Sequence, residues 1–374
     1  MKRLAALWLA ALVACADPLP DNPDALVGLA IERIDGHAEG EPFDPELTDA
    51  LREAAKGGHA GAANTLYTIF NTGLAEPGDG EDPLAYLDTA VAGGDPAAKL
   101  NYANRFILEG GEAAERAARY ALELEADPDT IPESAYIRPV AVTYRYGLGG
   151  VAYDHATARA RLERCVELDA APDLCPRLLA VYVETGTGGG GADPAGAARL
   201  YRVAADAGDP QAQWEYAMRL LDGRGGLTPD AQAAYDYVRR AAEGGLQSAR
   251  ISQAVMLATG EGVAQDPAAA FRAYESALAV PGDGTAHALR GLSVMTYTGE
   301  GTVIDEGLGM AGLLIAAAMG DPVAPRYIQA RAEPGQTVEQ AVWQFHTQLK
   351  PRIAELQNRY GLPDVFGEGD VETP

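Results

Sequence analysis

The glycine-rich segment ETGTGGGGADPAGAARLY, residues 184–201, has the residue types and spacing of a nucleotide-binding turn. Gly186, Gly188 and Gly191 form G-x-G-x-x-G, which in dinucleotide-binding domains follows a strand and opens a helix that holds the pyrophosphate. Such a domain also places an acidic residue about twenty positions further on, and Asp206 fits that spacing. The nucleotide hypothesis therefore depends on whether the apolar stretch LLAVYV before the glycines is a strand.

Other residue patterns give little support for catalysis. No histidine lies in H-E-x-x-H or beside a nucleophile motif, and neither G-x-S-x-G nor a Walker lysine is present. Carboxylates are so abundant that a pair of them most simply indicates solvated helix faces. We therefore predict a non-enzymatic protein with no cofactor and no metal site. The five histidines are His37, His59, His155, His287 and His346.

The charge balance excludes one class of partner. The chain has 29 basic and 54 acidic residues, a formal net charge of −25, which repels phosphate backbones and argues against nucleic acid. Aromatic residues are only 7% and alanine is frequent, a composition that favours packed helices.

The first fifteen residues, MKRLAALWLAALVAC, have the features of an export signal. Lys2 and Arg3 precede an apolar stretch, residues 4–14, that is too short to span a bilayer as a helix. The end of this stretch, LVAC, resembles a bacterial lipobox, which implies that Cys15 is acylated and becomes the mature N-terminus. Ordinary cleavage after Ala16 is the alternative.

Both readings export the protein, and loss of the two basic residues takes its formal charge from −25 to −27. By the sorting logic of lipoproteins, Ala16 after the cysteine suggests the periplasmic face of the outer membrane. Without acylation the protein would be released into the periplasm. Several acyl chains would anchor it stably, at about 0.8 kcal/mol per buried CH₂.

A repeat of about 37 residues organises the rest of the chain. Glycines that close successive apolar stretches are spaced by 37, 37, 39, 37, 37 and 39 residues. A second glycine series, in motifs such as AADAGD and AAEGG, marks the other end of most units with spacings of 36 to 38 residues, and has one gap of 114 residues, about three periods, between Gly94 and Gly208. The first series is Gly73, Gly110, Gly147, Gly186, Gly223, Gly260 and Gly299, and the second is Gly58, Gly94, Gly208, Gly245, Gly282 and Gly320.

Each unit has the signals of two helices. In residues 209–245, Asp209 and Pro210 start the first helix, Gly223 ends it in a left-handed conformation, and Asp230 caps the second. The Asp-Pro start recurs at Asp82, Asp95, Asp193, Asp266 and Asp321. LLAVYV then aligns with first helices and the glycines with a hairpin turn, so we predict no nucleotide binding.

The units resemble Sel1-like repeats, relatives of the tetratricopeptide repeat. The closest matches are QWEYAMRLLDGRGG…DAQAAYDYVRRAAEGG and ARISQAVMLATGEGVAQDPAAAFRAYESALAVPG. One hairpin cannot bury its own apolar face, so the units must stack. We therefore predict an all-α, right-handed α-solenoid of about seven helix-turn-helix repeats across residues 43–325.

The flanking segments are assigned by composition. Residues 1–15 form the signal peptide, and residues 16–42 a tether with a possible capping helix. Residues 326–360 are predicted to form C-terminal capping helices, kinked or split at Pro351. Residues 361–374 are predicted to be a disordered tail.

Cys165 and Cys175 are the remaining cysteines. An even number in an exported protein favours a disulfide, and ten residues across an inter-repeat turn bring the two close together. Disulfides at this junction also occur in cysteine-rich Sel1-like secreted proteins. The bridge is expected to stabilise the fold by about 2–3 kcal/mol. Two buried free thiols are the alternative.

First helices line the concave groove of related solenoids, which makes their polar and aromatic residues candidate partner contacts. Trp214 could anchor a partner peptide or could serve only in packing. Polar groove contacts are predicted at Arg219, Asn101, Asn104 and Arg105.

The resemblance implies an envelope-anchored scaffold that holds other envelope proteins on a concave helical surface. A finer resemblance is to lipoprotein scaffolds of alginate and related exopolysaccharide export, which have a similar cysteine spacing to that in CVELDAAPDLCPRLLAVYVE. A penicillin-type ligand binder of the cysteine-containing Sel1-like class is a further alternative, although no Ser-x-x-Lys nucleophile is present.

Overall fold

The computed structural model describes residues 19–38, 42–280 and 282–366, and all regular secondary structure in these ranges is helical. The predicted signal peptide and Cys15 lie outside the described residues. The helices are α1 Pro23–Asp35, α2 Pro45–Lys56, α3 Ala60–Asn71, α4 Pro83–Ala92, α5 Pro96–Phe106, α6 Gly111–Ala126, α7 Glu133–Tyr146, α8 His155–Glu167, α9 Leu174–Thr185, α10 Pro194–Asp206, α11 Pro210–Asp222, α12 Ala231–Glu243, α13 Gln247–Thr259, α14 Pro267–Leu278, α15 Thr285–Thr298, α16 Glu306–Ala318, α17 Ala324–Gln329 and α18 Val338–Tyr360.

The predicted Asp-Pro starts are confirmed at five helices. In each, the aspartate accepts a hydrogen bond from a backbone N–H two or three residues further on, and proline occupies the first turn; the residues are Asp82, Asp95, Asp193, Asp209 and Asp266. Asp321 differs, because its carboxylate accepts from the N–H groups of Val323 and Ala324 and α17 begins only at Ala324.

Seven consecutive helix pairs, from α3–α4 to α15–α16, confirm an α-solenoid of about seven repeats. The stretch LLAVYV lies in α9 and is helical, and Gly186 caps that helix in the left-handed region with φ 72°. A side chain is strained in that conformation, so glycine marks the positions where five first helices stop, at Gly147, Gly186, Gly223, Gly260 and Gly299. Gly73 instead lies one residue beyond its C-cap, and Gly110 is the N-cap of α6. The glycine pattern is therefore a hairpin turn.

The chain divides into two compact units, of which the first ends at Ala170 and the second begins at Ala171. In the first unit, α1 contacts α2 and α3 and buries Leu26 and Ala30. In the second unit, α18 packs against α16 and contributes Ala341, Ile353 and Leu356 to the core.

The predicted disulfide is confirmed. Cys165 lies in α8 and Cys175 in α9; both are fully buried and disulfide-bonded. Within the described residues, no helix is both long and apolar enough to cross a membrane.

The C-terminal segment differs from expectation in two respects. Helix α18 runs unbroken through Pro351, whose exposed position lets the ring lie in solvent, so the predicted split does not occur. Leu362, Val365 and Phe366 pack against the core of the second unit, and the Phe366 ring lies 4.3 Å from that of His346. The first residues of the predicted disordered tail are therefore packed, while residues 367–374 lie outside the described residues.

One carboxylate, Glu81, joins separate parts of the first unit. It accepts hydrogen bonds from Arg52 Nε at 2.8 Å and Nη2 at 3.0 Å, from the Tyr86 hydroxyl at 2.8 Å and from the Gly78 N–H at 2.7 Å. The hydrogen bonds from Arg52 are the largest effect on the pKa of Glu81 and outweigh burial, lowering it from 4.5 to about 2.

We expect Glu81→Gln to lower the free energy of unfolding at pH 7 by about 1–2 kcal/mol. Because the folded-state pKa lies below the ordinary value, this stability is present above pH 4.5 and is lost as the pH falls through about 2. The difference between parent and variant in urea midpoint should therefore shrink below pH 4.5. Glu76→Gln, at an exposed glutamate, is the matched control. A difference in urea midpoint between parent and Glu81→Gln that does not change with pH would contradict the role given to Glu81.

Candidate partner-binding site

The first helices of the second unit share a register fixed by their capping glycines. Helices α9, α11, α13 and α15 end at Gly186, Gly223, Gly260 and Gly299, all left-handed with φ between 72° and 79°. Counting back from each glycine therefore identifies equivalent positions in the four helices.

The fifth residue before each capping glycine is apolar and incompletely covered. Val181 is 38% exposed, and Met218, Val255 and Val294 are half-buried. We call these four residues the first-helix row. They were not among the candidates from the sequence, although aligning the repeats on their glycines would have revealed them.

Trp214 lies four residues before Met218 on α11 and is half-buried. Its indole Nε1 donates a hydrogen bond to Ser252 Oγ on α13 at 3.0 Å, and its ring packs against a cluster that includes Ala241 and Ala249. The ring is thus fixed in place while part of it stays accessible. Both predicted roles, packing and partner binding, are compatible with this environment.

Arg219 is not an accessible groove contact, because only 2% of the residue is exposed. Its Nη2 donates to both carboxylate oxygens of Glu184 at 2.7 Å, and its Nη1 donates to Glu215 Oε2 at 2.7 Å. The guanidinium also lies 4.0 Å from the centre of the Tyr201 ring. The predicted surface role is corrected to a packing role, since the Arg219 guanidinium on α11 contacts residues of α9 and α10.

The pKa values of Arg219 and Tyr201 are both raised in this cluster. Burial acts to lower the pKa of Arg219, but the hydrogen bonds to Glu215 and Glu184 outweigh it and the pKa is raised. Burial raises the pKa of the Tyr201 phenol to about 12, against the opposing effect of Arg219. One cation with two carboxylates leaves the cluster with a single net negative charge beside the first-helix row.

In the first unit, two of the predicted residues connect neighbouring first helices. Asn101 Nδ2 on α5 donates to Asn64 Oδ1 on α3 at 2.9 Å. Asn104 Oδ1 accepts from Arg138 Nη2 on α7, also at 2.9 Å. Both asparagines are half-buried, so their amides are engaged between helices.

Arg105 is exposed, pairs with Glu109 in the turn that follows its helix and lies 5.1 Å from the centre of the Phe106 ring. The predicted residues therefore fall into two groups. Those on α5 belong to the first unit, whereas Trp214 and Arg219 on α11 belong to the second. Within the described ranges, no three metal-binding side chains are grouped closely enough to hold an ion.

Comparisons with known proteins match this repeat architecture. The family model described as the Sel1 repeat matches residues 177–209, 210–246 and 250–279. The fold is similar to the crystal structure of a Sel1 repeat protein from Oxalobacter formigenes, with a TM-score of 0.52, 20% identity, and coverage of 64% of this chain and 96% of that one.

A second solved structure is c5321, a protective antigen present in uropathogenic Escherichia coli strains that displays an SLR fold. It aligns with a TM-score of 0.37 and 16% identity over 94% of this chain and 89% of that one. No curated protein matches the chain.

We expect Arg219→Met to lower the free energy of unfolding by about 2–4 kcal/mol, because it leaves two half-buried carboxylates without their cation. Arg239→Met removes an exposed ion pair with Glu243 and should cost less than about 0.5 kcal/mol. Urea unfolding followed by circular dichroism measures both. Equal small losses would contradict the packing role of Arg219.

Proposed function

We propose that the chain, in which residues 177–209, 210–246 and 250–279 match the Sel1 repeat model, works without catalysis as an envelope-anchored scaffold. Sel1-repeat proteins generally mediate protein–protein interactions as scaffolds. In this chain, the partner would lie across the first helices of the second unit.

The first-helix row is the observation that carries this proposal. Apolar side chains recur at one equivalent position in four consecutive first helices and remain partly open to solvent. An apolar surface that continues across repeats favours contact with another protein over contact with water. Trp214 beside the row supplies an aromatic group of the kind that dominates binding energy at interfaces.

Electrostatics limits the partner further. The cluster of Glu184, Arg219 and Glu215 leaves one negative charge beside the row, and the whole chain carries −25. An acidic partner surface would be repelled, so we infer a partner face with an apolar centre and a neutral or basic rim.

We expect Val181→Glu to abolish capture of a specific partner from cell envelopes by the tagged protein, because it places a charge in the row. Val203→Glu is the matched control, since Val203 is an exposed valine of the same unit on α10. Circular dichroism checks that both variants fold. A partner bound equally by both variants, or no specific partner, would contradict the proposal.

Anchoring through Cys15 is the second part of the proposal and is supported by the residues that precede it. In cells given a tagged palmitate, the parent protein should be labelled and sedimented with membranes, while Cys15→Ser should lose both properties. If the parent protein carried no label and were cleaved after Ala16, it would be exported by the ordinary route, and this result would contradict the lipid anchor.

Exopolysaccharide export is the finer pathway that we propose for this scaffold, on the resemblance of the segment from Cys165 to Glu184. The disulfide in that segment is compatible with an oxidising compartment. Polysaccharide secretion that is unchanged after deletion of the gene would exclude this pathway without affecting the scaffold proposal.

A further inference from the structure

A cavity of about 260 Å³ lies in the second unit, where the last repeat meets α18. Helices α14, α15, α16 and α18 and the loop after Gly299 contribute to its lining. Its apolar wall consists of Phe271, Leu292, Leu308, Leu356 and Tyr360.

Ser293 is the most buried polar residue of this lining, with 3% of its surface exposed. The equivalent residues of the three preceding first helices are Ala180, Ala217 and Ala254, all fully buried. Helix packing at this position therefore does not require a hydroxyl. Within the described chain, the Ser293 hydroxyl makes no hydrogen bond, so its capacity to donate and accept remains available to a ligand.

The helix opposite Ser293 also departs from the other repeats. Seven residues after the capping aspartate, α10 carries Leu200, α12 carries Tyr237 and α14 carries Ala273, whereas α16 carries Gly312, which has no side chain. A Cβ on Gly312 would collide with Ser293 Oγ, and Leu356 of α18 approaches the same point. A serine and a glycine thus replace an alanine and a larger side chain beside the cavity.

The mouth of the cavity has an unusually apolar edge. Val303 and Ile304 line it and are 84% and 62% exposed. The preceding hairpin loop, of the same length, carries Ala264 and Gln265 at these positions. A molecule that only filled the cavity would leave most of this edge in water, whereas a polypeptide crossing the mouth would cover it.

Charged groups at the cavity are already paired. Arg359 bonds to Glu355 at 2.8 Å, and Asp305 pairs with Arg352 at 3.2 Å. A charged ligand would have to compete with these ion pairs, which favours a neutral one.

We propose that this cavity receives a tyrosine side chain from a partner protein. The phenol ring would pack against the apolar wall and its hydroxyl would bond to Ser293 Oγ, with the partner backbone crossing Val303 and Ile304. The volume is below that of typical pockets for drug-sized ligands, and tyrosine is a frequent interface anchor. The inference rests on the proposed scaffold function, because it takes the partner to be a protein.

The role of the hydroxyl is tested with the peptides acetyl-Val-Tyr-Val-amide and acetyl-Val-Phe-Val-amide, titrated into the whole protein and followed by NMR. The tyrosine peptide should bind about five- to tenfold more tightly than the phenylalanine peptide. Ser293→Ala should remove this preference while leaving the phenylalanine peptide unchanged. Ser293→Ala has the alanine of the other repeats, so the fold should be retained. A preference that persists in Ser293→Ala, or no saturable binding, would overturn the proposal.

The kind of occupant is tested with 4-methylphenol, the free analogue of the tyrosine side chain. Val303→Asp should weaken the tyrosine peptide about fivefold or more and leave 4-methylphenol unaffected, while Val203→Asp changes neither. If the tyrosine peptide and 4-methylphenol bound with equal affinity and Val303→Asp affected neither, the cavity would be a small-molecule site. That result would overturn the proposal that a partner protein docks there. These titrations do not involve Val181, which is the residue changed in the test of the scaffold proposal. The titrations can therefore fail while partner capture from envelopes succeeds, and capture can fail while the titrations succeed.

Discussion

Close approach of paired helices is the constraint on which the rest of the structure depends. Ala180, Ala217 and Ala254 are fully buried at one equivalent position, where a larger side chain would hold neighbouring helices apart. The left-handed glycine at the end of each first helix stops it at a fixed distance from that alanine. Small residues and glycine turns together set one register for every hairpin of the second unit.

A common register makes departures from the repeat informative. Arg219 adds a buried cation, which two carboxylates and a tyrosine ring then neutralise and cover. Ser293 adds a hydroxyl without such compensation at a position that is alanine elsewhere. The first departure is explained by packing, whereas the second, together with Gly312, is the basis of the proposed tyrosine site.

Most of the fold could be predicted from sequence because its signals are local. An aspartate before a proline caps a helix through atoms two or three residues away, and Gly186 ends one through its own φ angle. The environment of Arg219 could not be read in this way, because Glu184 lies 35 residues earlier in the chain. The unbroken helix at Pro351 could not be predicted for a similar reason, since it depends on the exposed position of the ring and on the packing of Ile353 and Leu356 into the core.

The central claim is that partners bind across the first-helix row of the second unit. Its most direct test places a photoreactive phenylalanine analogue at position 181 or 255 in cells, with position 203 as the control. Cross-linking followed by mass spectrometry should give the same partner at 181 and 255 and none at 203. Adducts of equal yield at all three positions, or adducts only at 203, would contradict the account.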